Sequence, residues 1–195
     1  MTTYELIAIG ASWGGLHAVS ELLRGLPEEL EAAVVVAQHR SPKAPHGGLE
    51  ALLQDQTRRP VVEASDKDPI EPRHVYVAPP DYHLLVEPGQ FGLSTEGHVR
   101  YARPSIDVLF ESAADAYRER VVGIVLTGAN NDGASGLRRI KELGGVAVVQ
   151  DPGTAAMRTM PEAALAATAA DAVLPISEIG KFLYGLCCLP ARIEA

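Results

Sequence analysis

The sequence predicts an α/β fold: a doubly wound, mostly parallel sheet with helices on both faces, three layers in all, and an antiparallel hairpin at its edge. Three observations predict it. Short apolar runs of strand length alternate with stretches whose apolar residues recur at helical spacing, the pattern of a parallel sheet covered on both sides. A Gly-rich turn, Gly10-Ala11-Ser12-Trp13-Gly14-Gly15, joins the first strand to the first helix. The run Val121-Val122-Gly123-Ile124-Val125-Leu126 is strongly β-branched, as suits a strand buried on both faces.

Taken in order, residues 5–9 form the first strand, and Leu16, Val19, Leu22, Leu23 and Leu26 mark the helix after it. Residues 32–37 are the second strand, 48–54 a helix and 60–64 the third strand. Residues 73–102 break the rhythm. Runs at 75–78, 83–86, 91–93 and 98–101, separated by Pro79-Pro80 and Pro88-Gly89, read as antiparallel ribbons. Ser105 caps a helix over 106–117, and 121–126 is a central strand. The loop 127–133 leads into a helix over 134–143, closed by Gly144-Gly145 as a left-handed cap. A strand at 146–150, an Ala-rich helix at 162–170, a short strand at 172–174 and a helix at 179–186 complete the chain. No linker or repeat intervenes, so residues 1–195 read as one domain.

Composition narrows the function. With 47% apolar residues the chain fills a core, largely with Val, Leu, Ile and Ala because aromatics are few. A formal charge of −8 argues against a nucleic-acid groove or an anionic membrane surface; Arg138, Arg139 and Lys141 read as a solvated helix face. The adjacent Cys187 and Cys188 read as ordinary thiols of a reducing compartment. Met1-Thr2-Thr3-Tyr4-Glu5 lacks the positive region of a signal peptide, and no apolar run approaches the ~18 residues of a membrane span. A cytoplasmic protein is expected.

The Gly-rich turn suits two chemistries. As a dinucleotide motif its middle glycine is replaced by Ser12, and the second strand ends in Gln38-His39 without the carboxylate that holds a ribose. No cofactor is therefore expected. As a nucleophile elbow, Gly10, Ser12 and Gly14 match G-x-S-x-G, which exposes a hydroxyl beside backbone donors; read alone, Ser12 could equally cap the helix. Two further loops follow apolar strands and carry His39 and Asp132. Ligands of doubly wound sheets sit at the carboxyl ends of the strands, where the strand order reverses. If the first strand is central, Ser12, His39 and Asp132 converge there as nucleophile, base and orienting carboxylate. Alone, His39 could be a satisfied polar residue and Asp132 a turn aspartate or helix cap. No histidine or cysteine pair has metal-site spacing, so no metal is expected.

The segments Gly10-Ala11-Ser12-Trp13-Gly14-Gly15, Gln38-His39, Arg103-Pro104-Ser105-Ile106-Asp107-Val108-Leu109-Phe110, Leu126-Thr127-Gly128-Ala129-Asn130-Asn131-Asp132-Gly133-Ala134 and Gln150-Asp151-Pro152 together resemble the catalytic domain of CheB, the chemotaxis protein-glutamate methylesterase. The resemblance implies that Ser12, His39 and Asp132 form a triad. It also implies hydrolysis of glutamate methyl esters, and possible deamidation of glutamine, on the cytoplasmic helices of methylated chemoreceptors or a related signalling protein. Trp13, Gly14, Gly128, Ala129 and Asn130 would then line the pocket or the oxyanion site. The family's usual receiver domain is missing from this reading, since the first catalytic strand begins at Tyr4.

Departures from the family pattern accompany the likeness. Trp13 stands where threonine is usual and Ala129 where methionine is usual. Trp13 either fills space the family fills from the opposite loop or stands exposed at the cleft mouth. The alternatives to a methylesterase are an esterase or amidase for another substrate and a catalytically silent receptor-binding module.

Overall fold

The computed structural model describes residues 4–188. Met1, Thr2 and Thr3, part of the stretch read against a leader, and residues 189–195 of the expected domain lie outside the described residues. The elements in chain order are β1 (Leu6–Ala11), α1 (Gly15–Arg24), β2 (Ala33–Gln38), α2 (Gly48–Gln54), β3 (Val61–Glu63), β4 (Val75–Val77), β5 (His83–Glu87) and β6 (Gln90–Ser94). They continue with α3 (Ile106–Tyr117), β7 (Val121–Val125), α4 (Ala134–Glu142), β8 (Val146–Gln150), α5 (Thr159–Ala167), β9 (Ala172–Leu174) and α6 (Ile176–Cys187).

Seven strands form one parallel sheet in the order β3-β4-β2-β1-β7-β8-β9. β1 is central, with β2 on one side and β7 on the other, so the order reverses at β1 and opens a crevice at its carboxyl end. The two middle strands are apolar and buried throughout: every residue of Leu6–Ala11 and Val121–Val125 is inaccessible. Two cores lie on the two faces. One packs Leu22 and Leu23 of α1, Leu49 and Leu53 of α2, and Ile179 and Leu183 of α6. The other packs Ile106, Leu109 and Phe110 of α3, Leu137 and Ile140 of α4, and Met160 and Ala164 of α5. The three layers expected from the sequence are present.

The antiparallel pair β5 and β6 forms its own two-stranded sheet, with Leu84, Val86 and Phe91 joining the α3 core. Two ribbons expected from the sequence are corrected. Val75–Val77 is a parallel strand of the main sheet, inserted between β3 and β2 and buried throughout. Three residues are too few to show on which side, or in which direction, a strand pairs. Residues 98–101 form no ribbon strand; a single bridge between Val99 and Ala102 closes a tight turn there. α5 starts earlier than expected, at Thr159, because Pro161 sits in its first turn, where a missing N–H is not needed.

Arg138, Arg139 and Lys141 each face a carboxylate, at Glu142, Asp115 and Asp171. Cys187 and Cys188 are free thiols, and burial pushes Cys187 up to about 12. No helix among the described residues is long and apolar enough to cross a membrane.

Candidate active site

Three loops leave the carboxyl ends of neighbouring strands β2, β1 and β7, and they bring His39, Ser12 and Asp132 together. After Ala11 the chain turns sharply. Ser12 is held by its amide, which donates to the Thr127 carbonyl at 2.9 Å, and by its own carbonyl, which accepts from Gly15 at 2.8 Å. Gly14 occupies the N-cap position of α1 with φ +75°, a left-handed conformation that L side chains resist. No side chain caps that helix, so the Ser12 hydroxyl is free of the capping role.

The His39 ring lies 13% exposed between the other two residues. Its Nε2 is 2.8 Å from Asp132 Oδ2 and its Nδ1 is 3.2 Å from Ser12 Oγ. An ionised carboxylate can only accept, so Nε2–H donates to Asp132. Nδ1 is left bare to accept from the Ser12 hydroxyl.

Asp132 is fully buried and saturated with donors. Its Oδ1 accepts from Ser105 Oγ at 2.9 Å, Asp107 N at 2.9 Å and Gly133 N at 3.1 Å. Its Oδ2 accepts from Ile106 N at 2.7 Å as well as from His39. Two of these amides, those of Ile106 and Asp107, belong to the first turn of α3, whose unpaired N–H groups favour an anion. Burial alone would raise the Asp132 carboxyl, but the His39 hydrogen bond and the amides of Asp107 and Ile106 outweigh it and hold the group below the usual range.

Several residues that support the site carried only a faint sequence signal. Gln38, 9% exposed, donates from Nε2 to the Ser12 carbonyl at 2.9 Å and the His39 carbonyl at 3.0 Å, clamping the Ser12 and His39 loops together. Its position beside His39 was visible in the sequence; its bond to Ser12, 26 residues away, was not. Ser105 caps α3 through Val108 N, as expected, but its hydroxyl also donates to Asp132, a role that helix-cap reasoning does not reveal. Gln150 Oε1 accepts from Thr127 N at 2.8 Å, and Thr127 Oγ1 donates to the Trp13 carbonyl at 2.9 Å, bracing the turn after Ser12.

The five pocket residues expected from the resemblance differ in situation. Gly128 is buried; its amide donates to Met157 O at 3.1 Å, and a Cβ there would lie 2.2 Å from Met160 Cε and 3.0 Å from Ser12 Cβ. It supplies room. The amides of Trp13, Gly14, Ala129 and Asn130 donate to no protein acceptor among the described residues. Asn130 Oδ1 accepts from Asp132 N at 3.1 Å. Trp13 is 67% exposed and Ala129 is exposed too, so the Trp13 ring does not fill a packed space. Trp13→Thr and Ala129→Met should therefore act independently. A double-mutant cycle on kcat/KM should close within about 0.5 kcal/mol, and coupling of roughly 1 kcal/mol or more would show that the two side chains share a space after all.

Gly15 leads to a second expectation. A Cβ on it would lie 2.0 Å from Gln38 Oε1 and 2.8 Å from Ala11 Cβ, so Gly15→Ala must push the Gln38 amide aside. Overpacking of this kind costs about 1–3 kcal/mol. A displaced clamp should also lower kcat by more than it raises KM, because the Ser12–His39 distance is what it sets. Steady-state kinetics beside a melting curve would check both effects.

Among the described residues no group of three or more His, Cys, Asp or Glu side chains is placed to hold a metal ion. The sequence profile of the family described as CheB methylesterase matches residues 7–183. A Leptospira interrogans protein, provisionally named a protein-glutamate methylesterase/protein-glutamine glutaminase, is 44% identical over 184 residues, which is 94% of this chain and 95% of that one. A protein-glutamate methylesterase of Myxococcus xanthus, FrzG, is 40% identical over 181 residues, covering 92% of this chain and 54% of the relative, so the chain spans about half of that protein. In three dimensions the chain is similar to the crystal structure of the Thermotoga maritima CheB methylesterase catalytic domain, with a TM-score of 0.87, 30% identity, and coverage of 94% of this chain and 99% of that one.

Proposed function

Because the chain belongs to the CheB methylesterase family, we propose that it hydrolyses glutamate methyl esters on the cytoplasmic helices of chemoreceptors or a related signalling protein, with Ser12 as nucleophile, His39 as base and Asp132 as orienting carboxylate. The observation that carries this reading is the continuous hydrogen-bonded chain Ser12–His39–Asp132, built from three separate loops at the reversal of strand order.

In this scheme Nδ1 of His39 takes the Ser12 proton as Oγ attacks the ester carbonyl. The imidazolium that forms is held by Asp132 through Nε2, and its Nδ1 proton then goes to the leaving methoxide, releasing methanol. Water attacks the acyl-enzyme by the same base and frees the glutamate. The developing oxyanion lies near the start of α1. There the Trp13 and Gly14 amides, with those of Ala129 and Asn130, are donors left without a protein acceptor among the described residues. The same scheme with ammonia as leaving group converts glutamine to glutamate, matching the glutaminase half of the Leptospira relative's name. Every step uses side chains or amides of this chain, so chelators should leave the rate unchanged.

Methanol release from a methylated receptor fragment, measured with the wild type and Ser12→Ala, tests the proposal. The wild type should release methanol and the variant should not. Turnover of a small ester without any release from methylated fragments would mean a different substrate, and no turnover of either would leave a binding module.

A further inference from the structure

The loop between β6 and α3 carries a feature that the reaction scheme does not use. Val99 and Ala102 exchange two backbone hydrogen bonds, of 3.1 and 2.9 Å, and the chain reverses between them in two residues. Both have positive φ, +48° at Arg100 and +64° at Tyr101. This is the signature of a type I′ turn, which proteins usually fill with Asn-Gly because an L side chain crowds the backbone in that conformation. Such strain persists only where surrounding contacts over-determine it.

Here they do. Arg100 Nε donates to Asp107 Oδ2 at 2.7 Å and its Nη2 to Ser135 Oγ at 3.0 Å. Arg103 holds the carbonyls of Thr95 and Glu96 at 2.8 and 3.0 Å and donates to Asp81. Asp107 is in turn linked through its amide to Asp132 Oδ1. The turn is thus tied to the carboxylate that holds His39, and its position relative to the reactive hydroxyl is set.

What the turn displays is a ring that no neighbour among the described residues covers. Tyr101 is fully exposed, at 101%. It nevertheless lines a cavity of about 270 Å³ with Pro42, Ala102 and Pro104, and that cavity also includes His39 and Asn130. A glutamate ester stands on a short side chain, so bringing its carbonyl to Ser12 lays the substrate's own backbone across the loops that rim the site. His39 and Tyr101 line one and the same cavity at that rim.

We propose that Tyr101 is a specificity-determining contact, its ring packing against the substrate helix beside the esterified glutamate; the inference rests on the methylesterase reading above. Aromatic side chains carry much of the binding energy at protein interfaces.

The test compares wild type, Tyr101→Gly and Tyr101→Phe on a methylated receptor fragment and on p-nitrophenyl acetate. Glycine removes the ring and relieves the turn, so the melting temperature should hold or rise. The ratio of kcat/KM on the fragment to that on the small ester should fall by about tenfold or more. Phenylalanine should keep most of the ratio. An unchanged ratio, or a lower melting temperature with both substrates losing equally, would overturn the assignment. If the wild type hydrolyses p-nitrophenyl acetate but no methylated fragment, the methylesterase reading fails and this inference fails with it. If the wild type demethylates the fragment and Tyr101→Gly does so equally well, only the inference fails.

Discussion

Ser12→Ala and His39→Ala should each lower kcat by on the order of 10⁴-fold or more, and the double variant should be little worse than the poorer single. Either substitution breaks the 3.2 Å contact through which the hydroxyl proton leaves in the proposed scheme. Once that path is gone, removing the second partner takes away nothing further. The oxyanion donors and substrate binding sustain what rate remains, roughly 10³–10⁴-fold over water in comparable triads. Both side chains are part-exposed at a loop, so the melting temperature should change little and the loss is one of chemistry. A double variant whose deficit equals the product of the two singles would show that Ser12 and His39 do not act as a unit.

Asp132→Asn should be as damaging to the rate and, unlike the first pair, should also weaken the fold. A carboxamide can face His39 with its N–H₂, stabilising the wrong tautomer, for which a loss of up to about 10⁴-fold in kcat is the measured precedent. The second effect follows from burial. Five donors converge on the Asp132 carboxylate, and asparagine offers one oxygen for them. Stranded donors cost about 1–3 kcal/mol each, so a stability loss on the order of 3 kcal/mol is expected in chemical denaturation.

The pH dependence of that stability has a defined sign. The Asp132 carboxyl is held below its ordinary value in the folded chain. Its contribution is therefore present above the unfolded value, about 3.9, and is lost as pH falls through the lower folded value. Wild type should lose stability below about pH 4 more steeply than Asp132→Asn. Parallel curves for the two would mean that the carboxylate is not stabilised as its partners imply.

Much of this molecule was legible in one dimension because the signals concerned are local. Strand and helix periods run over a few residues, so β8, β9, α2 and α3 fall where the pattern put them. The Gly-x-Ser-x-Gly turn is a contiguous motif, and His39 and Asp132 follow apolar strands by one loop each. A parallel sheet aligns the carboxyl ends of its strands, so residues just past those ends become neighbours without further information.

What depends on partners distant in the chain had to wait for the fold. Val75–Val77 carries the same apolar signal whether it pairs in a ribbon or in the main sheet; only its place beside Val34–Val36 decides. Asp132 could be read as a turn residue or as a triad member, and the first turn of α3 settles which surroundings it has. The clamp formed by Gln38 joins loops that the sequence keeps apart. The left-handed Arg100-Tyr101 turn contradicts local preference outright, and it exists because Asp107, Ser135 and Asp81 hold its flanks from elsewhere in the fold. Composition and periodicity determined the layers and the loops that carry Ser12, His39 and Asp132. Long-range hydrogen bonds, which offset local strain that the sequence alone would forbid, decided how those loops are aimed.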